Sequence, residues 1–244
     1  MRIHAYHHLY EQRLLSSTRA YQARGSKVKR CSFCQVEHTL CLCSYQPNVN
    51  TDVAVLLLFS SNEVFKPSNT GRLILDTVKE GYAYQWSRTE PNQELLDLLI
   101  NPLYQPLVVF PQDYVESKYR VIRDEDIGQL SDNKRKPLLI FLDGSWREAR
   151  RMFRKSPYLD NLPVLSISPQ SLSQYVMRRS DNDQHLATAE VASVVLEQLG
   201  EHSAARTLVL WFDAFKESYL MSKSQTKPDI QRPKLQYYLS YKNE

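Results

Sequence analysis

Four short stretches of this chain are apolar at almost every position, and that continuity limits the folds open to it. Val53 to Phe59, Leu107 to Phe110, Leu138 to Leu142 and Val164 to Ile167 have strand length but lack the alternation of a half-exposed strand. A strand buried on both faces belongs in a sheet covered by helices on either side, the usual setting of parallel pairing. Helical patterns fall between the stretches. Thr70 to Glu80 reads as a helix ended by Gly81, and Gln93 to Ile100 as one stopped near Asn101-Pro102. Leu186 to Leu199 reads as a helix ended by Gly200, and Leu208, Trp211, Phe212, Phe215 and Tyr219 recur at helical spacing in a last amphipathic one. The expected fold class is α/β, a mainly parallel sheet with flanking helices.

At 244 residues the chain accommodates one large domain, or one domain with a small appendage. Residues 1–50 are polar and basic, and Pro47 with Asn48 and Asn50 marks a break, so they read as a helix-led arm plus a cysteine knuckle. Residues 51–222 carry the α/β pattern, and the tail 223–244 is rich in Pro, Lys and Tyr and is expected to be partly ordered at best. No apolar run approaches the roughly 20 residues of a membrane helix. Met1-Arg2-Ile3-His4 opens without the apolar stretch of a secretory signal.

All four cysteines sit together, as Cys31-Ser32-Phe33-Cys34 and Cys41-Leu42-Cys43. The paired spacing suits tetrahedral thiolate coordination, and four sulfurs leave no open position, so a zinc ion here would be structural. Such an ion folds a segment with little core of its own. His38 is the one alternative ligand nearby. Reduced thiols at metal spacing fit a cytoplasmic protein better than a disulfide scaffold.

The chemistry-bearing candidate is Asp143-Gly144-Ser145-Trp146, which follows the most apolar stretch. Asp143-Gly144 is a sharp exit from a strand, and Ser145 with Glu148 forms a capping box that starts a helix. On that helix Trp146, Ala149, Met152 and Phe153 share one face, and Arg147, Arg150, Arg151 and Arg154 fall on another. Arginines at helical spacing suit phosphate contacts, so this row is the candidate RNA-binding surface. Net charge is only +4, but the first thirty residues hold Arg2, Arg13, Arg19, Arg24, Lys27, Lys29 and Arg30 against Glu11 alone. Lys134-Arg135-Lys136 form another basic group. Local basic clusters on a nearly balanced chain point to a polyanionic partner. In an open parallel sheet, ligands bind beyond the carboxyl ends of the strands. Asp143, Ser60-Ser61-Asn62-Glu63, Pro111-Gln112-Asp113 and Ser168-Pro169 all occupy such ends.

Five pieces in order resemble the DTW-domain family of tRNA-uridine aminocarboxypropyltransferases. They are the cysteine cluster, Ser68-Asn69-Thr70-Gly71-Arg72, Phe110-Pro111-Gln112-Asp113, Asp143-Gly144-Ser145-Trp146 and Leu186-Ala187-Thr188-Ala189-Glu190. Ser145 replaces the family's Thr and keeps the hydroxyl, whereas Ser60-Ser61 replaces a common His-Pro, with Glu63 retained. The resemblance implies a fold similar to the knotted SPOUT methyltransferases, with S-adenosylmethionine in a looped crevice. It implies transfer of the 3-amino-3-carboxypropyl group to N3 of a tRNA uridine, in the variable loop in bacterial members. On this expectation Asp143 is the general base or orients the uracil, and Trp146 packs beside a base or cofactor ring or in the core. Ser68, Asn69, Thr70, Arg72, Phe110, Pro111, Asp113, Ser145, Thr188 and Glu190 form the expected donor site. The partner is tRNA, with no membrane partner and a monomer favoured. Two other readings are a SPOUT-like RNA methyltransferase and a zinc-containing RNA-binding protein without catalysis.

Overall fold

Successive residues of a strand point to opposite faces, so a run apolar throughout must be covered twice. A computed structural model of the chain, which describes residues 1–18, 28–122, 126–127, 135–166, 187–222 and 229–243, meets that demand. Its strands are β1 (Ala54–Phe59), β2 (Gly81–Gln85), β3 (Tyr104–Val109), β4 (Val121–Ile122), β5 (Lys136–Asp143) and β6 (Val164–Leu165). They form one sheet in the order β2-β1-β5-β3-β6-β4, and every pairing is parallel. The helices are α1 (Ala5–Ser16), α2 (Gly71–Thr77), α3 (Gln93–Ile100), α4 (Trp146–Arg154), α5 (Thr188–Gln198), α6 (His202–Met221) and α7 (Pro233–Asn243).

Val55, Leu57, Phe59, Leu139 and Phe141 face one hydrophobic cluster with residues of α1, α2, α5, α6 and α7. Leu56, Leu58, Leu138, Ile140 and Leu142 face the other, with Leu95, Leu98 and Leu99 of α3 and Met152 and Phe153 of α4. Each fully buried side chain of this size contributes about 1.5–3 kcal/mol, which explains why the central strands tolerate no polar residue. The knuckle adds Val36 and Leu42 to the first cluster, and α1 adds Tyr6 and Leu9.

Several elements differ from expectation for identifiable reasons. α2 stops at Thr77, because Val78 turns extended and bridges Val49. Gly81 therefore opens β2 instead of closing a helix, and a Cβ there would meet Leu75 Cδ2 at 2.4 Å. β2, a half-exposed edge strand, was hidden by the polarity of Tyr82, Tyr84 and Gln85. β6 covers Val164–Leu165, and Ile167 lies outside the described residues. The tail holds more order than its composition implies: α7 buries Leu235 and Tyr238, which are three apart on one helical face. The path from Leu165 to Thr188 runs through 167–186, outside the described residues. Among the described residues no helix is long and apolar enough to cross a membrane.

β1 and β5 are neighbours, yet α2 after β1 packs on one face and α4 after β5 on the other. A crevice opens where adjacent strands send their connections to opposite faces. Asp143 ends β5 at that point, in register with Phe59.

Candidate functional site

Asp143 is 2 % exposed although it closes a strand. Its main-chain carbonyl accepts the Ser60 N–H at 2.9 Å, which ties the exits of β1 and β5 together. The Asn69 side-chain amide donates to Oδ2 at 2.5 Å, and the Thr188 hydroxyl donates to Oδ1 at 2.6 Å. Both carboxylate oxygens are thus held by side chains from elements far apart in sequence. Gly71 is required beside them, since a Cβ there would lie 2.5 Å from Oδ2. Burial is the first cause raising the Asp143 carboxyl to about 6, and the charge of Glu63 adds to it. The bonds from Thr188 and Asn69 and the Lys66 ammonium oppose the rise. A buried carboxyl poised near neutrality at a strand end has the properties of a proton acceptor.

Beside it, Ser145 caps α4 and forms a capping box with Glu148, as its spacing predicts. Ala149, Met152 and Phe153 of α4 are buried, but Trp146 remains 42 % exposed. Its indole stacks on Phe110 at 5.6 Å and 11° and meets Tyr114 edge-on at 5.3 Å. Arg147, Arg151 and Arg154 are exposed. Arg150 instead folds over the Tyr114 ring at 4.8 Å, and Arg151 lies 5.5 Å from the Trp86 ring.

In the N-terminal knuckle, the Sγ atoms of Cys31, Cys34, Cys41 and Cys43 lie within 4.8 Å of one another. Cys31–Cys43 are 3.6 Å apart and Cys34–Cys41 3.7 Å, and all four are free thiols. Tetrahedral Zn–S bonds near 2.3 Å put sulfurs about 3.8 Å apart, so the set fits a metal ion such as zinc. Gln35, at φ 56°, makes the left-handed turn that brings the Val36 carbonyl back to the Cys31 N–H at 2.8 Å. His38 is exposed and is not one of the clustered ligands.

A DTW domain is matched over residues 28–220, from the cysteine knuckle to the end of α6. The chain belongs to the DTW-domain family. No solved structure matches it.

Three of the DTW pieces meet at one carboxylate: Asn69 and Gly71, Asp143 itself, and Thr188. Asn69 also accepts the Arg72 N–H at 3.1 Å, so an amide in the first turn of α2 is already capped. Thr70 Oγ1 accepts the Ala189 N–H at 3.5 Å, and Glu190 accepts the Ala187 N–H at 2.9 Å to cap α5. Phe110 is buried against Phe153 and Trp146, Pro111 is half-buried, and Ser68, Asp113 and Ser145 are exposed around the crevice. Arg72 behaves differently. Its guanidinium is buried over the Phe215 ring at 4.7 Å and makes no hydrogen bond to Asp143. Ser168-Pro169 and Leu186 lie outside the described residues.

Sequence reasoning missed Lys66 and Tyr114. Lys66 pairs with Glu63 at 2.5 Å and bears on Asp143, and the i,i+3 spacing of the two was the available signal. Nothing local in the sequence marked Tyr114, whose role depends on where α4 lies.

Proposed function

We propose that this protein transfers the 3-amino-3-carboxypropyl group of S-adenosylmethionine to N3 of a tRNA uridine, with methylthioadenosine as co-product. The single observation that carries this reading is the meeting of three DTW pieces on a carboxyl raised to about 6 at the sheet's switch point. Uridine N3 is a weak nucleophile until its proton leaves. In the proposed step Asp143 takes that proton, N3 bonds to the donor's terminal carbon of the propyl chain, and the carbon–sulfur bond breaks with its electron pair remaining on sulfur. The donor, when bound, supplies that activated carbon. A sulfonium cation suits a crevice with carboxylates at Glu63 and Asp143 and an exposed indole face at Trp146.

The remaining roles belong to the same reading. Asn69 and Thr188 orient Asp143, while Ser68, Thr70, Phe110, Pro111, Asp113, Ser145 and Glu190 border the donor, and Trp146 stacks on a nucleobase. Arg147, Arg151 and Arg154 meet tRNA phosphates, and Arg150 supports Tyr114. Cys31, Cys34, Cys41 and Cys43 hold a structural zinc. A cytoplasmic location follows from the tRNA substrate.

The test is incubation with unmodified tRNA and labelled S-adenosylmethionine, followed by nucleoside mass spectrometry. Methylthioadenosine and an aminocarboxypropyl-uridine are expected. S-adenosylhomocysteine with a methylated base would reject the reading in favour of methyl transfer, and unmodified RNA would leave a binding protein.

A further inference from the structure

β1 leaves the sheet beside Asp143 and passes into one 3₁₀ turn, Glu63–Phe65. Packing fixes this turn: Val64 and Phe65 are buried, and the Val64 carbonyl accepts the Tyr6 hydroxyl at 2.8 Å. Main-chain bonds close it, with the Glu63 N–H on the Ser60 carbonyl at 3.1 Å and the Lys66 N–H on that of Glu63 at 3.1 Å. The Asn69 N–H continues the series, donating to the Lys66 carbonyl at 2.9 Å. Two opposite charges project from the turn and meet, Lys66 Nζ against Glu63 Oε2 at 2.5 Å. Asn69 links the pair to the buried carboxylate, because its side-chain amide reaches both Glu63 Oε1 at 3.4 Å and Asp143 Oδ2 at 2.5 Å.

Stability does not account for this ion pair. An exposed pair contributes about 0–1 kcal/mol, and a pair drawn out of water meets a desolvation cost that can exceed its attraction. The Glu63 side chain is 12 % exposed and that of Lys66 38 %, so one charge is largely withdrawn while its partner stays open to solvent. A carboxylate and an ammonium held side by side are complementary to a zwitterion. The first suits an α-ammonium group and the second an α-carboxylate, each through a charge-assisted hydrogen bond. Receiving a zwitterion leaves neither side chain alone, since each trades one opposite charge for another. The arginines of α1 and α2 are engaged elsewhere: Arg13 donates to the Ser61 carbonyl at 3.3 Å, and Arg72 is buried over the Phe215 ring.

We propose that Glu63 and Lys66 form the subsite for the amino-acid end of S-adenosylmethionine, Glu63 taking its ammonium and Lys66 its carboxylate. This rests on reading S-adenosylmethionine as the donor. The group held is then the group transferred. Three carbons are bonded to the sulfonium, and the one that reacts is the one aligned with the nucleophile. Anchoring the zwitterion next to Asp143 brings the propyl chain to the proton acceptor and favours that chain over the methyl group. Glu63 and Lys66 thus determine which group leaves the sulfur, and the adenosine part is left to other residues.

The experiment is calorimetric titration of the full chain, without tRNA, with three probes. They are S-adenosylmethionine, its decarboxylated form, and methylthioadenosine, which lacks the whole amino-acid chain. Wild type is expected to bind S-adenosylmethionine about 10–100-fold more tightly than the decarboxylated form, the equivalent of one charge-assisted hydrogen bond. Lys66→Met is expected to bind the two alike, and Lys66→Arg to restore most of the difference. Glu63→Gln should weaken S-adenosylmethionine by a similar factor and leave methylthioadenosine at its wild-type affinity. A Lys66→Met protein that still discriminates against the decarboxylated form overturns the proposal, as does an equal loss of all three probes in either variant. Wild type that binds S-adenosylmethionine and its decarboxylated form equally overturns the subsite with no variant needed, yet keeps the donor. Wild type that binds none of the probes overturns the donor reading itself, and this proposal with it.

Discussion

Asp143 is buried and Asp76 largely so, and their environments drive them apart. Asp76 accepts from His4, Gln46 and Trp211, and Asp143 accepts from Asn69 and Thr188. Burial raises both. At Asp76 it is overcome by the hydrogen bond and charge of His4, the Trp211 N–H and the charge of Arg72, and the carboxyl falls to about 2. At Asp143 burial prevails, a second acid at Glu63 reinforces it, and the carboxyl stands at about 6. Asp76 has one donor more than Asp143 and the positive charge of Arg72 near it, whereas Asp143 has the acid Glu63 as its neighbour. Environments that push two similar groups apart suit them to different work: Asp76 is held as an ionised carboxylate, and Asp143 stands close to neutrality.

The sharpest way to break that contrast is to remove each carboxylate in turn. Asp143→Ala is expected to lower turnover by about 10²–10⁴-fold, the usual contribution of a general base, while tRNA affinity stays close to wild type. Single-turnover kinetics and a binding titration read the two separately, and unchanged turnover would remove Asp143 from the chemistry. Asp76→Asn is expected to act on stability instead. Each charge-assisted bond it weakens is worth about 1.5–3 kcal/mol. A denaturant series should therefore show a shifted midpoint, and a fully stable variant would strip Asp76 of its anchoring role.

The pH dependence sharpens the comparison further, because the two carboxyls move in opposite directions. Asp143 has its folded value above the unfolded 3.8, so the stability it contributes is present below that value and is lost as pH rises through about 6. Asp76 has its folded value below 3.8, so its contribution is present above that value and is lost as pH falls through about 2. Asp143→Asn should therefore raise the melting temperature at pH 8 and leave it nearly unchanged at pH 4. The gain at pH 8 is on the order of 2–3 kcal/mol, since each tenfold change in proton affinity is worth about 1.4 kcal/mol. Equal effects at both pH values would mean that the carboxyl does not titrate where its burial implies.

How far these two positions were legible in the sequence differs between them. Asp143 was legible because a strand's end is visible in the apolar stretch Leu138 to Leu142 and a capping box in Ser145 and Glu148. Its partners were visible as motifs but not as partners: Asn69 and Thr188 read as donor contacts until the sheet order brought α2, α5 and β5 together. Asp76 carried no signal at all. It sits inside a helical pattern, and its three donors come from the arm, the knuckle exit and α6, a conjunction that only tertiary packing creates. The central strands were read from hydrophobic continuity, whereas β2 and β4 at the sheet's edges were not, since an edge strand need bury only part of itself. The same limit applied to α7, where two buried residues in a polar tail are too few to stand out.

The exposed surface on the Asp143 side offers smaller effects. Trp146→Ala is expected to reduce kcat/KM by roughly 5- to 100-fold, the equivalent of about 1–3 kcal/mol for one base stacked on an aromatic ring. Its melting temperature should hardly move, because the indole is already 42 % exposed. A large stability loss with unaltered kinetics would return Trp146 to a packing role.

Smallest of all is the effect of single exposed arginines. Arg147 and Arg151 are both exposed on α4, whereas Arg150 is committed to Tyr114. Removing one arginine–phosphate pairing should lower the slope of log K against log salt by about 0.7–0.9. Arg147→Gln combined with Arg151→Gln is thus expected to flatten the salt dependence of tRNA binding by about 1.5 while leaving rates at saturating tRNA near wild type. Substitutions at Asp76 should leave that slope untouched, because the charge there is engaged by the protein's own donors. A slope that responds to Asp76 but not to the α4 arginines would place the tRNA on the other side of the sheet, and the division between anchor and reaction centre would have to be redrawn.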